Sequence, residues 1–170
     1  LTQPDLLIAA GFSYEVVTAH NGCLQMEVTV HGTMAHAAVP HTGVDALQAA
    51  VAILNALYAE NQAYRQVRSQ VPGITHPYLN VGRIEGGTNT NVVPGKVQFK
   101  LDRRMIPEEN PAEVEARIRS VMAQALERFN AERGHHGAED QRHHEQKGHA
   151  QDHAEGQQTG THQAPQAARA

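Results

Sequence analysis

The residues with the most chemical promise lie in the stretch Val30 to Pro40, Val-His-Gly-Thr-Met-Ala-His-Ala-Ala-Val-Pro. His36 stands there among Ala35, Ala37 and Ala38, so no bulky neighbour in sequence covers its ring. Such an imidazole can hydrogen-bond a partner or a substrate, or be an ordinary surface-loop histidine. A second stretch, residues 86 to 95, reads Gly-Gly-Thr-Asn-Thr-Asn-Val-Val-Pro-Gly. Its Asn91 suits a tight turn before Pro94. A third is Leu101-Asp-Arg-Arg104, where Arg104 can neutralise Asp102 from the same strand face. Near the C-terminus, His135-His136, His143-His144 and the pair His149 and His153 could bind a transition metal loosely. They sit in Gly- and Gln-rich sequence with no core to fix their geometry, whereas a catalytic metal needs fixed ligands and an open position.

The elements that must position these groups are legible from periodicity. From Cys23 to His31, Leu24, Met26, Val28 and Val30 alternate with Gln25, Glu27, Thr29 and His31, the pattern of a half-buried antiparallel strand. Asn21-Gly22 before it is a turn signal. A helix is expected next, capped by Thr42, with Val44, Leu47, Val51, Leu54 and Tyr58 as its apolar stripe. Tyr78 to Ile84 reads as a second strand, with Tyr78, Asn80, Gly82 and Ile84 on one side. Lys96 to Arg104 reads as a third, with Val97, Phe99 and Leu101 on one face and Gln98, Lys100, Asp102 and Arg104 on the other. Asn110-Pro111-Ala-Glu113 has the residues of a helix start, followed by a stripe of Val114, Ile118, Val121, Met122, Ala125, Leu126 and Phe129. Strand, helix, strand, strand, helix is an α+β order, the ferredoxin-like split β-α-β unit with two helices on one face and its last strand missing.

Composition sets the limits. The 170 residues carry a formal charge of -4, which gives no footprint for nucleic acid or an anionic membrane. No apolar run approaches the ~20 residues of a membrane span. Cys23 is the only cysteine, which excludes an internal disulfide and fits a reducing, cytoplasmic setting. The chain opens on Leu1 without an initiator Met, as a piece of a longer or processed chain would. From Asn130 to Ala170 there is no Val, Ile, Leu, Met, Phe, Trp or Tyr, so residues 130–170 are expected to form a disordered tail.

Taken together, residues 32 to 40, 86 to 95 and 101 to 104 resemble the lid, or dimerisation, domain of the M20 family of zinc metallohydrolases. That family includes carboxypeptidases, aminoacylases, acetylornithine deacetylases and succinyl-diaminopimelate desuccinylases. The resemblance implies that residues 22–129 form the lid, with residues 1–21 a linker or strand left from a catalytic domain. It implies that His36 reaches into a neighbouring subunit's site to steady the developing oxyanion, that Asn91 touches the substrate, and that Arg104, or its neighbour Arg103, binds a free carboxylate. Zinc would be held by the catalytic domain, whose ligands are absent apart from a doubtful Glu15, and the chain alone would be inactive. The expected partners are a second copy, through a sheet edge and a helix, and a small N-acyl amino acid or peptide. The competing reading is a non-enzymatic dimerisation module with a metal-binding histidine tail.

Overall fold

A computed structural model describes residues 19–151, with side chains for residues 19–134. The apolar run at Asp5 to Ala10, the extended stretch at Tyr14 to Thr18 and Glu15 lie outside the described residues, as do residues 152–170. The described part is built on a three-stranded antiparallel sheet, β1 (Gly22–His31), β3 (Tyr78–Gly86) and β5 (Lys96–Met105), in the order β1-β5-β3. Two short strands, β2 (Ala35–His36) and β4 (Val92–Val93), pair with each other. Helices α1 (Ala46–Tyr64) and α2 (Pro111–Gln151) complete the α+β order.

The central strand β5 shows why the sheet has two unlike faces. Val97, Phe99 and Leu101 are buried, while Gln98, Lys100, Asp102 and Arg104 face the other way. Their apolar side meets Val28 and Val30 of β1, Ala46, Ala49, Ala50, Ile53 and Leu57 of α1, and Ile118 and Met122 of α2. Each large side chain buried there contributes ~1.5–3 kcal/mol. The polar face is tied by Lys100 to Glu27 at 2.7 Å and by Gln98 Nε2 donating to Glu27 Oε1 at 2.6 Å.

Three expectations are revised. Helix α1 is capped by Asp45, whose Oδ1 accepts from the N–H groups of Leu47 and Gln48, because Thr42 is taken up in a short 3-10 turn, Pro40–Thr42. The buried stripe is also on another face. Ala46, Ala49, Ala50, Ile53 and Leu57 meet the core, whereas Leu47, Val51 and Tyr58 stay 44%, 45% and 44% exposed. Alanines let the helix axis approach the sheet closely, which leaves the bulkier stripe outside. In β3 a bulge at Gly82 breaks the register, so Val81 pairs with Leu101 and Arg83 with Lys100. Ile84 then pairs with Phe99 and lies on the helix side, with Val81 rather than with Tyr78.

Helix α2 begins as its residues suggest. Asn110 Oδ1 accepts from Ala112 N–H at 2.9 Å, Pro111 is the first helical residue, and Val114, Ile118, Met122 and Ala125 are buried. The helix outruns its apolar stripe, which ends at Phe129, and its backbone continues to Gln151. Ala, Glu, Gln and Arg favour helix locally, so the helical backbone passes the composition break at Asn130. Arg133 even packs back on the loop before α1, donating to Gly43 O at 3.1 Å.

Candidate functional site

The β2–β4 ribbon holds two of the three candidate residues together. Ala35 pairs with Val93 and His36 with Val92, and Ala37 N–H donates to Asn91 O at 2.9 Å. Buried Val93 pegs the ribbon to the core, while His36 and Asn91 are exposed. Ala38 N–H donates to His36 Nδ1 at 3.1 Å. An Nδ1 that accepts leaves the proton of a neutral ring on Nε2, so the exposed end of the imidazole is a hydrogen-bond donor. His36 O in turn accepts from Val39 N–H at 2.9 Å.

Backbone contacts fix the ribbon to the sheet and to α1. Gly32 N–H donates to Gly95 O, Thr33 and Val44 exchange both their hydrogen bonds, and Ala46 N–H donates to Pro94 O at 2.9 Å. The approach at Gly32 is so close that a Cβ there would lie 2.1 Å from Val44 O. Glycine is therefore obligatory, a signal the sequence carried without saying which backbone it met. Beside the ribbon, Gly32, Met34, Gly86, Gly87, Thr88 and Gly95 line most of an open groove of about 460 Å³. Met34 is 63% exposed at its wall.

Arg104 is not brought to this ribbon. Its Nε lies 2.8 Å from Asp102 Oδ1, and that carboxylate holds the guanidinium pKa above its usual value. Cross-strand to Arg104 is Cys23, at the start of β1, whereas the ribbon adjoins the opposite end of β5. Eight residue steps of strand separate Lys96 from Arg104, about 27 Å at ~3.4 Å per residue. Arg103 is a different kind of residue. It is 1% exposed on the helix side, with Nη2 2.6 Å from Glu109 Oε1, Nη1 donating to Arg104 O, and its guanidinium carbon 4.1 Å from the Tyr64 ring centre. Burial pushes the Tyr64 hydroxyl pKa up, with Arg103 opposing. Arg103 thus belongs to the structure of the β5–α2 turn, since Glu109 also accepts from Ile106 N–H.

Among the described residues, no group of three or more His, Cys, Asp or Glu side chains is placed to hold a metal ion. The tail histidine side chains lie outside the described ones. No described helix is long and apolar enough to cross a membrane.

A family model described as a peptidase dimerisation domain matches residues 18–130. The chain belongs to the M20 peptidase dimerisation-domain family. This M20 dimerisation domain is 33% identical over 108 residues to the acetylornithine deacetylase of Myxococcus xanthus, covering 62% of the chain and 28% of that protein. It is 32% identical over 111 residues to an uncharacterized hydrolase, y4tI, of Sinorhizobium fredii, covering 64% of the chain and 26% of that relative. It thus spans about a quarter of the length of these curated relatives. In fold it resembles a hydantoinase/carbamoylase family amidase from Burkholderia ambifaria, with a TM-score of 0.51 at 24% identity over 69% of the chain and 27% of that structure.

Proposed function

We propose that this M20 dimerisation domain acts as the lid of a zinc-dependent amidohydrolase that cleaves an amide beside a free carboxylate. In this reading residues 22–129 are the lid and residues 1–21 lead from a catalytic domain. The observation that carries the reading is the shared ribbon, where His36 Nδ1 is occupied by Ala38 N–H and Nε2 is left as an exposed donor beside Asn91. A donor fixed before the reaction can stabilise an oxyanion without reorganising, an effect worth ~3 kcal/mol for one hydrogen bond. In this reading the metal and the water it activates belong to the catalytic domain.

Two exposed features on one side of the sheet support a dimer in this reading. Leu47, Val51 and Tyr58 form an apolar stripe on α1, and Ile84 is 48% exposed on the helix side of edge strand β3. Asn61 Oδ1 accepts from Leu79 N–H at 2.7 Å, which ties the helix to that strand. A second copy covers both through an isologous contact. Arg104 lies at the far end of β5 from the ribbon, about 27 Å along the strand from Lys96, which in this reading separates it from the His36 of its own chain. We assign it to the carboxylate in cis, at the sheet end where residues 19–22 enter, while His36 and Asn91 act in trans. Exposed, free Cys23 fits a cytoplasmic location.

The test is a graft. Residues 18–130 replace the matched segment of the Myxococcus acetylornithine deacetylase, and steady-state kinetics are compared with and without His36→Ala. The expected result is a loss in kcat of roughly 100-fold with a small change in KM. An active graft in which His36→Ala leaves kcat unchanged overturns the assignment.

A further inference from the structure

Helix α2 reaches the candidate site through one side chain that the reading above does not use. Arg133 lies beyond the apolar stripe of α2 and beyond the family match at residue 130. Its Nη2 donates to Gly43 O at 3.1 Å in a half-buried setting. Gly43 closes the turn that follows His36. Its N–H donates to Pro40 O, Thr42 N–H donates to Val39 O, and Val39 N–H donates to His36 O. A Cβ on Gly43 would lie 2.7 Å from Thr33 O and 2.8 Å from Ala35 Cβ, so the turn rests directly on the strand that leads to the histidine.

We propose that Arg133 is a positioning residue for His36, holding the turn at Gly43 from α2 so that the imidazole keeps one orientation. The chain of contacts is short and has little slack. A shift of Gly43 is passed to Thr33 and Ala35 through van der Waals contact and to His36 through the Val39 hydrogen bond. Among the described residues, Ala38 N–H sets which ring nitrogen carries the proton, and Ala38 belongs to the same loop. A guanidinium suits the task, because it stays charged and its planar fork meets a carbonyl at fixed angles. The inference takes its meaning from the role proposed for His36, but its readout does not depend on that role.

The test uses the whole chain, by NMR, with Arg133→Ala, Arg133→Lys and, as a control, Arg128→Ala at an exposed position of the same helix. In Arg133→Ala, the His36 ring signals and the Ala38 and Gly43 amides should move, and exchange at the Gly43 amide should quicken roughly tenfold. The Val97 and Phe99 amides should exchange as before. Arg133→Lys, which keeps the charge, should recover part of the protection, and Arg128→Ala should change none of it. Unmoved His36 and Ala38 signals overturn the proposal. So does an equal loss of protection at Val97 and Phe99, which would mark Arg133 as a general support of the fold. Either failure leaves the catalytic test of His36 in the graft untouched, and failure of the graft leaves these shifts standing.

Discussion

Replacing Arg103 with alanine separates two adjacent arginines that look alike in sequence. The substitution removes both Nη contacts to Glu109, at 2.6 and 3.3 Å, the bond to Arg104 O, and the cation–π contact with Tyr64. Breaking a buried ion pair by deleting one partner costs ~3–5 kcal/mol, and a desolvated cation–π contact adds ~2 kcal/mol. Two features lower the sum. Glu109 is 20% exposed and keeps the Ile106 N–H, and Arg103 Nε is buried with no acceptor among the described residues. The expected loss is therefore ~3 kcal/mol, which for a domain of this size lowers Tm by more than ~10 °C. Urea or thermal unfolding followed by circular dichroism reads it. Arg104→Ala, on the solvated face, should leave the midpoint where it is. Joint replacement, Arg103→Met with Glu109→Gln, should recover much of the loss, because no buried charge is then stranded. A loss below ~1 kcal/mol for Arg103→Ala, or an equal loss for Arg104→Ala, refutes the reasoning.

Other outcomes test the same structure elsewhere. Ile53→Ala should cost ~2–5 kcal/mol, whereas Leu47→Ala should cost under ~1 kcal/mol, in urea melts of the two variants. Val51→Asp should leave the monomer folded but abolish self-association in sedimentation equilibrium, since the charge falls on the exposed stripe. Gly32→Ala should displace the β2–β4 ribbon and weaken the amide protection of His36 and Val92, because its Cβ would meet Val44 O. The pair Glu60 to Arg117 gives a pH signature. The Arg117 hydrogen bond holds the Glu60 carboxyl below its usual 4.5, against the opposing effect of burial. Its stabilisation is therefore present above pH ~4.5 and fades as the pH falls through the lower folded value. Glu60→Gln should cost less than ~1 kcal/mol at pH 7, given the exposure of Arg117, and progressively less as the pH falls through the folded value.

Much of the fold was legible because its pattern has a single reading. The alternation in Cys23 to His31 and Lys96 to Arg104 admits one buried face, and the structure pairs those strands residue by residue. The Asn110-Pro111 start of α2 is equally plain, since each residue suits only that position. Helix α1 is ambiguous in sequence because it is apolar on two faces. Size favoured Leu47, Val51 and Tyr58, but a helix lying on a sheet gains from closeness, and Ala46, Ala49 and Ala50 allow it. The bulge at Gly82 escaped because a strand-interior glycine does not say whether a residue is extra. In the candidate site, His36 and Asn91 fell within readable motifs, yet their pairing through a two-residue ribbon is long-range and left only Val92-Val93 as a local trace. Arg133 was invisible for another reason, as it lies past the last apolar residue of its helix.

The bulge in β3 also restricts what can dock along that margin. It divides the outer rail of backbone donors and acceptors into two short runs, residues 78–81 and 83–86, set out of phase. A visiting strand that slides along by two positions would meet the irregularity opposite a residue expecting an ordinary rung. The margin is therefore shaped as a keyed slot, and in the proposed dimer two copies brought together about a two-fold axis along it would engage in one alignment, with both keys seated at once.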